Sequence, residues 1–224
     1  QLDGTGIGAF NDRLRDAVHG GGPFDEDHRV FQGFGSGAFS DFNGLDTRSE
    51  AERRADYLHR VDLVKLGLAG NLKDYTLTTY DGKTVLGAQL DYNGQGAGFA
   101  SQPAENVNYV DAHDNETLFD LITYKMPADA PMENRVRMSL ISQASVALSQ
   151  SPSFWASGTE MLRSKSLDRD SFNSGDYYNA IDWTMHDNGF GHGLPVKSKN
   201  GAAWDHMRPL LENPDLKPSP EQID

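Results

Sequence analysis

No cysteine occurs anywhere in the 224 residues, so neither a disulfide framework nor a thiolate metal site can organise this chain. Basic residues are scarce as well: 20 Lys and Arg stand against 33 Asp and Glu, and the net charge of -13 repels nucleic acid and anionic membrane. There is no run of 18 apolar residues and no charged-then-apolar leader, so neither a membrane span nor a signal peptide is visible. The histidines, at positions 19, 28, 59, 113, 186, 192 and 206, show no HExxH or other close ligand spacing, which argues against structural zinc. GFGSG and GQGAG, within residues 33–44 and 91–98, lack a following GK[ST] and a strand-to-helix setting, so they read as flexible surface loops rather than nucleotide-binding turns. A neutral polymer such as a polysaccharide is the partner class these absences leave. At 24.6 kDa the chain can still bury one sizeable core or two small ones.

What is present concentrates in residues 106–120, NVNYVDAHDNETLFD. Val107, Tyr109 and Val110 give a short buried strand, while Asn115 and Glu116 read as the start of a helix carrying Leu118, Phe119, Leu121 and Ile122. The adjacent His113 and Asp114 fall between the two, where a helix N-terminus would favour an ionised Asp114. On spacing alone, a helix-capping Asp114 and a backbone-bound His113 account for the pair equally well.

Two further helices follow from the pattern. Thr47 with Glu50 makes a capping box, after which Ala51, Ala55, Leu58, Val61 and Val64 recur at helical spacing towards Gly67. Residues 132–149 place Val136, Leu140, Ala144, Ala147 and Leu148 on one side before Ser151-Pro152 ends the helix. Both faces read as packing surfaces. Strands are expected at 6–10, 107–111 and 153–156. Residues 158–194 set Arg163, Lys165, Asp168, Arg169, Asp170 and Asp176 among Phe172, Tyr177, Tyr178 and Trp183, hydrogen-bonding groups beside flat apolar faces of the kind sugars require. A solvated loop anchored by buried aromatics is the simpler reading of that segment taken by itself.

NYVDAHDNETLFD closely resembles the seventh-strand segment of type I pullulanases and plant-type limit dextrinases, members of the α-amylase superfamily (glycoside hydrolase family 13). The resemblance extends, in the family's order, through GIGAFNDRLRDAVHGGGPF (6–24), LAGNLKDYTL (68–77), LRSKSLDRDSFNSGDYYN (162–179) and MRPLLENPDLKPSPEQI (207–223). It implies an α/β fold, a partial (β/α)8 TIM barrel of about strands 6 to 8 with long active-site loops. Residues 1–224 would be the C-terminal portion of a catalytic barrel, without the upstream half or the β-sandwich that follows in the family.

The implied activity is starch and pullulan debranching, a retaining endo-hydrolysis of α-1,6-glucosidic linkages in pullulan, amylopectin or limit dextrins. Asp114 matches the carboxylate that stabilises the oxocarbenium-like transition state, His113 its neighbour on the sugar hydroxyls, and Asp176 the aspartate that holds a donor glucosyl unit. Asn115 and Arg163 complete the expected substrate contacts. Where the family carries Arg or Lys four residues after that aspartate this chain has Ala180, a loss that Arg163, Lys165 or Arg169 would have to offset.

Glycoside hydrolysis needs two carboxyl groups across the scissile bond, about 5–5.5 Å apart for retention. The family's nucleophile and acid/base motifs, DGFRFD-like and GEGW-like, are absent here, and Gln1 would fall just after the second. Glu160, near a strand end, is a poor substitute because Asp114 already has another role. The alternative reading is a glucan-binding fragment, or a half-barrel that needs a separate N-terminal half. No cofactor is required for the chemistry. The resemblance allows structural calcium, but Asp25, Glu26 and Asp27 make no complete ligand set and read as a solvated acidic turn. Export is expected if the source is bacterial and a plastid location if it is a plant.

Overall fold

The computed structural model describes residues 3–224. Gln1, expected just downstream of the acid/base segment, lies outside the described residues. The elements run β1 (Ala9–Phe10), α1 (Asp12–His19), α2 (Glu50–Leu68), β2 (Thr76–Thr78), β3 (Thr84–Leu86), β4 (Asp91–Tyr92), β5 (Gln95–Gly96), β6 (Asn106–Val107), α3 (Leu118–Lys125) and α4 (Met132–Ala147). Four shorter or later helices follow: α5 (Asp176–Asn179), α6 (Lys197–Asn200), α7 (Trp204–Leu211) and α8 (Pro220–Ile223).

β structure is sparse, and the three expected strands are shorter than the sequence pattern suggests. β1 pairs with β6 in parallel, Ala9 opposite Asn106 and Phe10 opposite Val107, and Asn108 makes one further parallel bridge to Ser153. Three segments therefore lie side by side in the order 9–10, 106–108, 153. Beyond Asn108 the chain leaves the ladder, sinks Val110 into the core and turns His113 and Asp114 outward.

Buried asparagines tie the segments together. Asn11 and Asn106 each donate to the Asn108 side-chain oxygen Oδ1, at 2.8 and 2.9 Å, and the Asn108 side-chain amide donates to the Gly67 carbonyl at 2.9 Å. Such groups are fully buried only because partners replace the water they lost. Phe10, Tyr109 and Phe154 close one side as edge-to-face pairs with centroids 5.0–6.5 Å apart.

β2 and β3 form one hairpin, and β4 and β5 form another where loop was expected. Asn93 (φ 52°) and Gly94 (φ 80°) form the two-residue left-handed turn between β4 and β5, and Asn-Gly is the sequence signal for it. Residues 33–44 are likewise no flexible surface loop. The Gln32 amide donates to the Ser36 and Asp41 carbonyls at 2.8 and 2.9 Å, and Ser36 Oγ donates to His19 O at 2.6 Å. Gly33 lies so close to α1 that an added Cβ would sit 2.6 Å from the Ala17 and Val18 carbonyl oxygens.

α2 begins two residues later than Thr47 predicts: Ser49 caps it and Glu52 completes the capping box. Ser49→Ala should cost about 1 kcal/mol, read as a shift in the urea midpoint of the protein at unchanged m-value. Of its expected face only Val64 is buried, together with Leu63 and Leu66.

α4 departs further from its pattern. Leu140 and Leu148, predicted to pack, are 59% and 74% exposed, and the buried side is Arg135, Ser139, Ser142, Ser145 and Val146. Small serines let the 33–37 loop approach closely: a Cβ on Gly35 would meet Ser142 Oγ at 2.1 Å.

α3 is buried along its whole length because it divides two cores. Leu118 and Ile122 join Leu14, Val18, Leu66 and Val146 on one side, while Phe119 and Tyr124 join Leu162, Phe190, Met207 and Leu216 on the other. A helix covered all round is rigidly held. It fixes the segment that precedes it.

Candidate functional site

The segment before α3 carries the His-Asp pair. The helix starts at Leu118 and not at Asn115, because Thr117 is the N-cap, accepting from Asp120 N at 3.2 Å. The Leu118 N–H is taken by buried Asp111, at 3.1 Å. Asp114 therefore does not cap the helix. It pairs with His113 Nδ1 at 2.9 Å, both side chains at least 80% exposed. Asn115 (φ 62°) reverses the chain, so that Glu116, 5% exposed, turns inward directly after an outward Asp114.

Beneath the pair lies a cavity of about 330 Å3, walled by residues 109–116, by α1 and by the glycine turn at 20–22. Phe10, Tyr109 and Phe154 give it an apolar side. Asp12, Arg15 and Asp16 give it a polar one, in which the Arg15 guanidinium bridges Asp12 and Asp16 at 3.0 and 2.8 Å and donates to the Tyr109 hydroxyl. His19 also lines it, and burial beside Arg15 and Lys125 pushes its imidazole down to about 3, so it is neutral at ordinary pH.

On the far side of His113 a second cavity of about 250 Å3 is lined by Phe154, Trp155, Thr159, Arg163 and Lys165. Asp111 belongs to both. Burial raises its carboxyl to about 6, against the pull of hydrogen bonds from Thr159 Oγ1 at 2.8 and 2.9 Å.

The expected site residues are not all brought together. His113, Asp114 and Asn115 line the first cavity and Arg163 the second, but Asp176, exposed at the start of α5, lines neither, nor does exposed Glu160. Arg163 donates to the Ser157 carbonyl at 3.1 Å and to the Asn179 carbonyl, so it braces the turn that carries Asp176. Lys165 Nζ donates to Ser171 Oγ at 2.8 Å and Arg169 to the Pro23 carbonyl at 3.4 Å. All three cations proposed to offset Ala180 are thus committed within the protein. The loop is anchored by Leu162, Leu167 and Phe190, while Phe172, Tyr177 and Trp183 stay exposed, with Lys199 Nζ over the Phe172 ring and Tyr178 and His192 beside Tyr177.

Pattern reasoning missed the α1 wall. NDRLRD places Asp12, Arg15 and Asp16 at helical neighbour spacing, the signal that would have marked it. Asp12, Asp16, Asp111 and Glu116 are each engaged, with Arg15, Arg15, Thr159 and His28 respectively. Asp114, paired with its neighbour His113, is the most exposed of the carboxylates lining the cavity, 80% against 47% for Asp12, an arrangement fit to bind hydroxyls and stabilise positive charge. In the acidic turn, Asp25 accepts from Gly22 N at 2.9 Å and Asp27 pairs with Arg29 at 2.6 Å, and no group of three His, Asp or Glu fit for a metal occurs among the described residues.

Residues 185–224 match a family described as alpha-1,6-glucosidases, pullulanase-type, C-terminal. The whole chain resembles proteins of the same kind. A pullulanase of Klebsiella aerogenes is 48% identical over 206 residues, which is 91% of this chain and 18% of that protein. Pullulanase 1, chloroplastic, of Arabidopsis thaliana is 45% identical over 99% of this chain and 23% of its own length. The crystal structure of a maltotriose complex of PulA from Klebsiella pneumoniae superposes with a TM-score of 0.92 at 45% identity, covering 99% of this chain and 24% of that one. The chain belongs to the pullulanase family.

It spans about a fifth of the length of the curated relatives it matches. In this pullulanase-family chain the tertiary arrangement is that of the solved relative, and the His113-Asp114 cavity sits at the C-terminal end of β6. No helix among the described residues is long and apolar enough to cross a membrane.

Proposed function

We propose that this chain forms one wall of the active site of a debranching enzyme that hydrolyses α-1,6-glucosidic linkages of pullulan, amylopectin or limit dextrins with retention. The observation that carries the reading is the exposed Asp114, paired with His113 above a half-apolar cavity in a chain 45–48% identical to pullulanases. The parallel order of 9–10, 106–108 and 153 supports a portion of a (β/α)8 barrel, strands 6 to 8, in which such loops gather at the C-terminal face.

In this scheme Asp114 stabilises the oxocarbenium-like transition state, acting more strongly there than on bound substrate. His113 and Asn115 hold sugar hydroxyls beside it, Arg163 braces the donor loop, and Asp176 positions a donor glucosyl unit. The nucleophile and the proton donor come from outside this chain, since the other cavity carboxylates are engaged. That engagement favours a second reading of the isolated chain as a glucan-binding half that requires its complement. One comparison separates the two: the longer polypeptide should release reducing ends from pullulan, while the purified 24.6 kDa chain should bind pullulan without cutting it. Hydrolysis by the pure chain would overturn the assignment of the missing groups, and inactivity of the longer polypeptide would overturn the enzyme reading.

A further inference from the structure

The rim of the first cavity opposite His113 is the turn at Gly20, Gly21 and Gly22 followed by Pro23, and the next residue, Phe24, is 98% exposed. A rim of glycines would be loose by itself, since glycine has the largest conformational freedom to lose on ordering. What holds it lies buried behind it. Glu116 Oε1 sits 3.1 Å from His28 Nδ1, with both side chains about nineteen-twentieths buried (5% and 6% exposed), and His28 Nε2 sits 3.1 Å from the Pro23 carbonyl oxygen. Arg169 donates to the same carbonyl at 3.4 Å. Lys125 Nζ donates to the Gly20 and Phe31 carbonyls at 3.0 and 2.7 Å, closing the segment at both ends against α3.

We infer that Glu116 and His28 form a buried clamp that couples the segment bearing Asp114 to the rim turn at residues 20–24, and so positions the wall facing Asp114. The geometry gives the coupling a definite path: Asn115 turns the chain so that one residue faces the cavity and the next one grips the rim through His28 and Pro23. Burial acts to raise the Glu116 carboxyl, yet the hydrogen bond and charge of His28 keep it below the ordinary carboxylate range, with Arg169 adding to the effect. Glu116 is therefore an ionised acceptor inside the protein, and a charge-assisted hydrogen bond there is worth more than a neutral one. Glu116 and His28 touch neither His113 nor Asp114 in this network, so they are positioning residues. On the debranching reading, on which the kinetic part of this inference rests, loosening the rim should weaken substrate holding and leave the chemical step nearly unchanged.

The test uses the longer polypeptide with Glu116→Ala, His28→Ala, the double variant, and Glu116→Gln as the conservative control that keeps an acceptor oxygen. Amide exchange at Gly20 and Gly22, whose N–H groups donate to Asp16 O and Asp25 Oδ2, should rise about tenfold in either alanine variant, no further in the double, and much less in Glu116→Gln, while α2 keeps its protection. KM on pullulan should rise roughly fivefold with kcat within about twofold of the parent. Unchanged exchange at the rim, or equal acceleration throughout the protein, would overturn the clamp, as would additive effects in the double variant. If the parent does not act on pullulan, the debranching reading fails while the exchange result still decides the clamp.

Discussion

Replacing Asp114 by Asn in the longer enzyme is expected to lower kcat on pullulan about 10³-fold, roughly 4 kcal/mol of lost transition-state stabilisation. The substitution keeps the shape and removes the charge. Because Asp114 is 80% exposed and pairs with its neighbour His113, the unfolding midpoint should stay where it is, so the loss would report chemistry and not folding. KM should change little, since a group that acts mainly on the oxocarbenium-like state contributes little to ground-state binding. Steady-state rates and a urea titration on the same preparation check both parts. Full activity in Asp114→Asn would remove the residue from the mechanism.

Asp120→Ala, at the one carboxylate of α3, should cost about 3 kcal/mol of stability at neutral pH. Asp120 accepts from Ser164 Oγ and from Lys165 N, the latter at 2.7 Å, and so ties α3 to the loop that leads to Arg163 and Asp176. Alanine would leave those buried donors without an acceptor. Burial holds the Asp120 carboxyl up at about 6 despite these bonds. An unfolded aspartate titrates near 4, so between about pH 4 and 6 the folded state binds the extra proton. The part of its contribution linked to the raised pKa is complete below about pH 4 and is lost as pH rises through about 6, while the hydrogen bonds that alanine would remove persist above it. Asp111, also raised to about 6, adds in the same direction. Denaturation midpoints taken from pH 4 to 7 should fall less steeply in Asp120→Asn than in the parent. An identical slope would mean that Asp120 stays ionised throughout.

The segment 113–125 shows why these two residues behave so differently. Asp114 precedes the helix and faces solvent, whereas Asp120 is in its first turn, between two cores. Five residues of chain separate an exposed carboxylate from one that serves only the protein. Asp114 is followed by polar Asn115, Glu116 and Thr117, whereas Asp120 lies between Phe119 and Leu121, but those letters do not say that the second carboxylate is sealed between two cores. Burial distinguishes them, and burial depends on the 162–216 region that packs against Phe119 and Tyr124.

Much of the candidate site was nevertheless legible. His113, Asp114 and Asn115 were picked out from their letters and do line one cavity, and the three parallel segments, 9–10, 106–108 and 153, overlap the predicted positions 6–10, 107–111 and 153–156. The helices over Glu50–Leu68 and Met132–Ala147 were also expected, the first starting two residues later than its cap suggested and the second ending two earlier. Their buried faces were not, since periodicity counts apolar residues while α4 docks through serines that admit a close backbone. The loop at 33–44 was misread for a related reason: glycine is a sign of flexibility only until neighbours leave no room for a Cβ.

By itself, then, the sequence determined the family, the order of the elements and the identity of the exposed His-Asp pair, because those are written in short contiguous motifs whose chemistry is local. Only the tertiary structure decided which carboxylates are engaged, since that depends on partners far along the chain: Tyr109 with Asp12, Thr159 with Asp111, His28 with Glu116. It also placed Asp176 outside both cavities and committed Arg163, Lys165 and Arg169 to oxygens of the protein. A hydrogen bond is fixed by distance in space, and separation along the chain carries no information about it until the chain is packed.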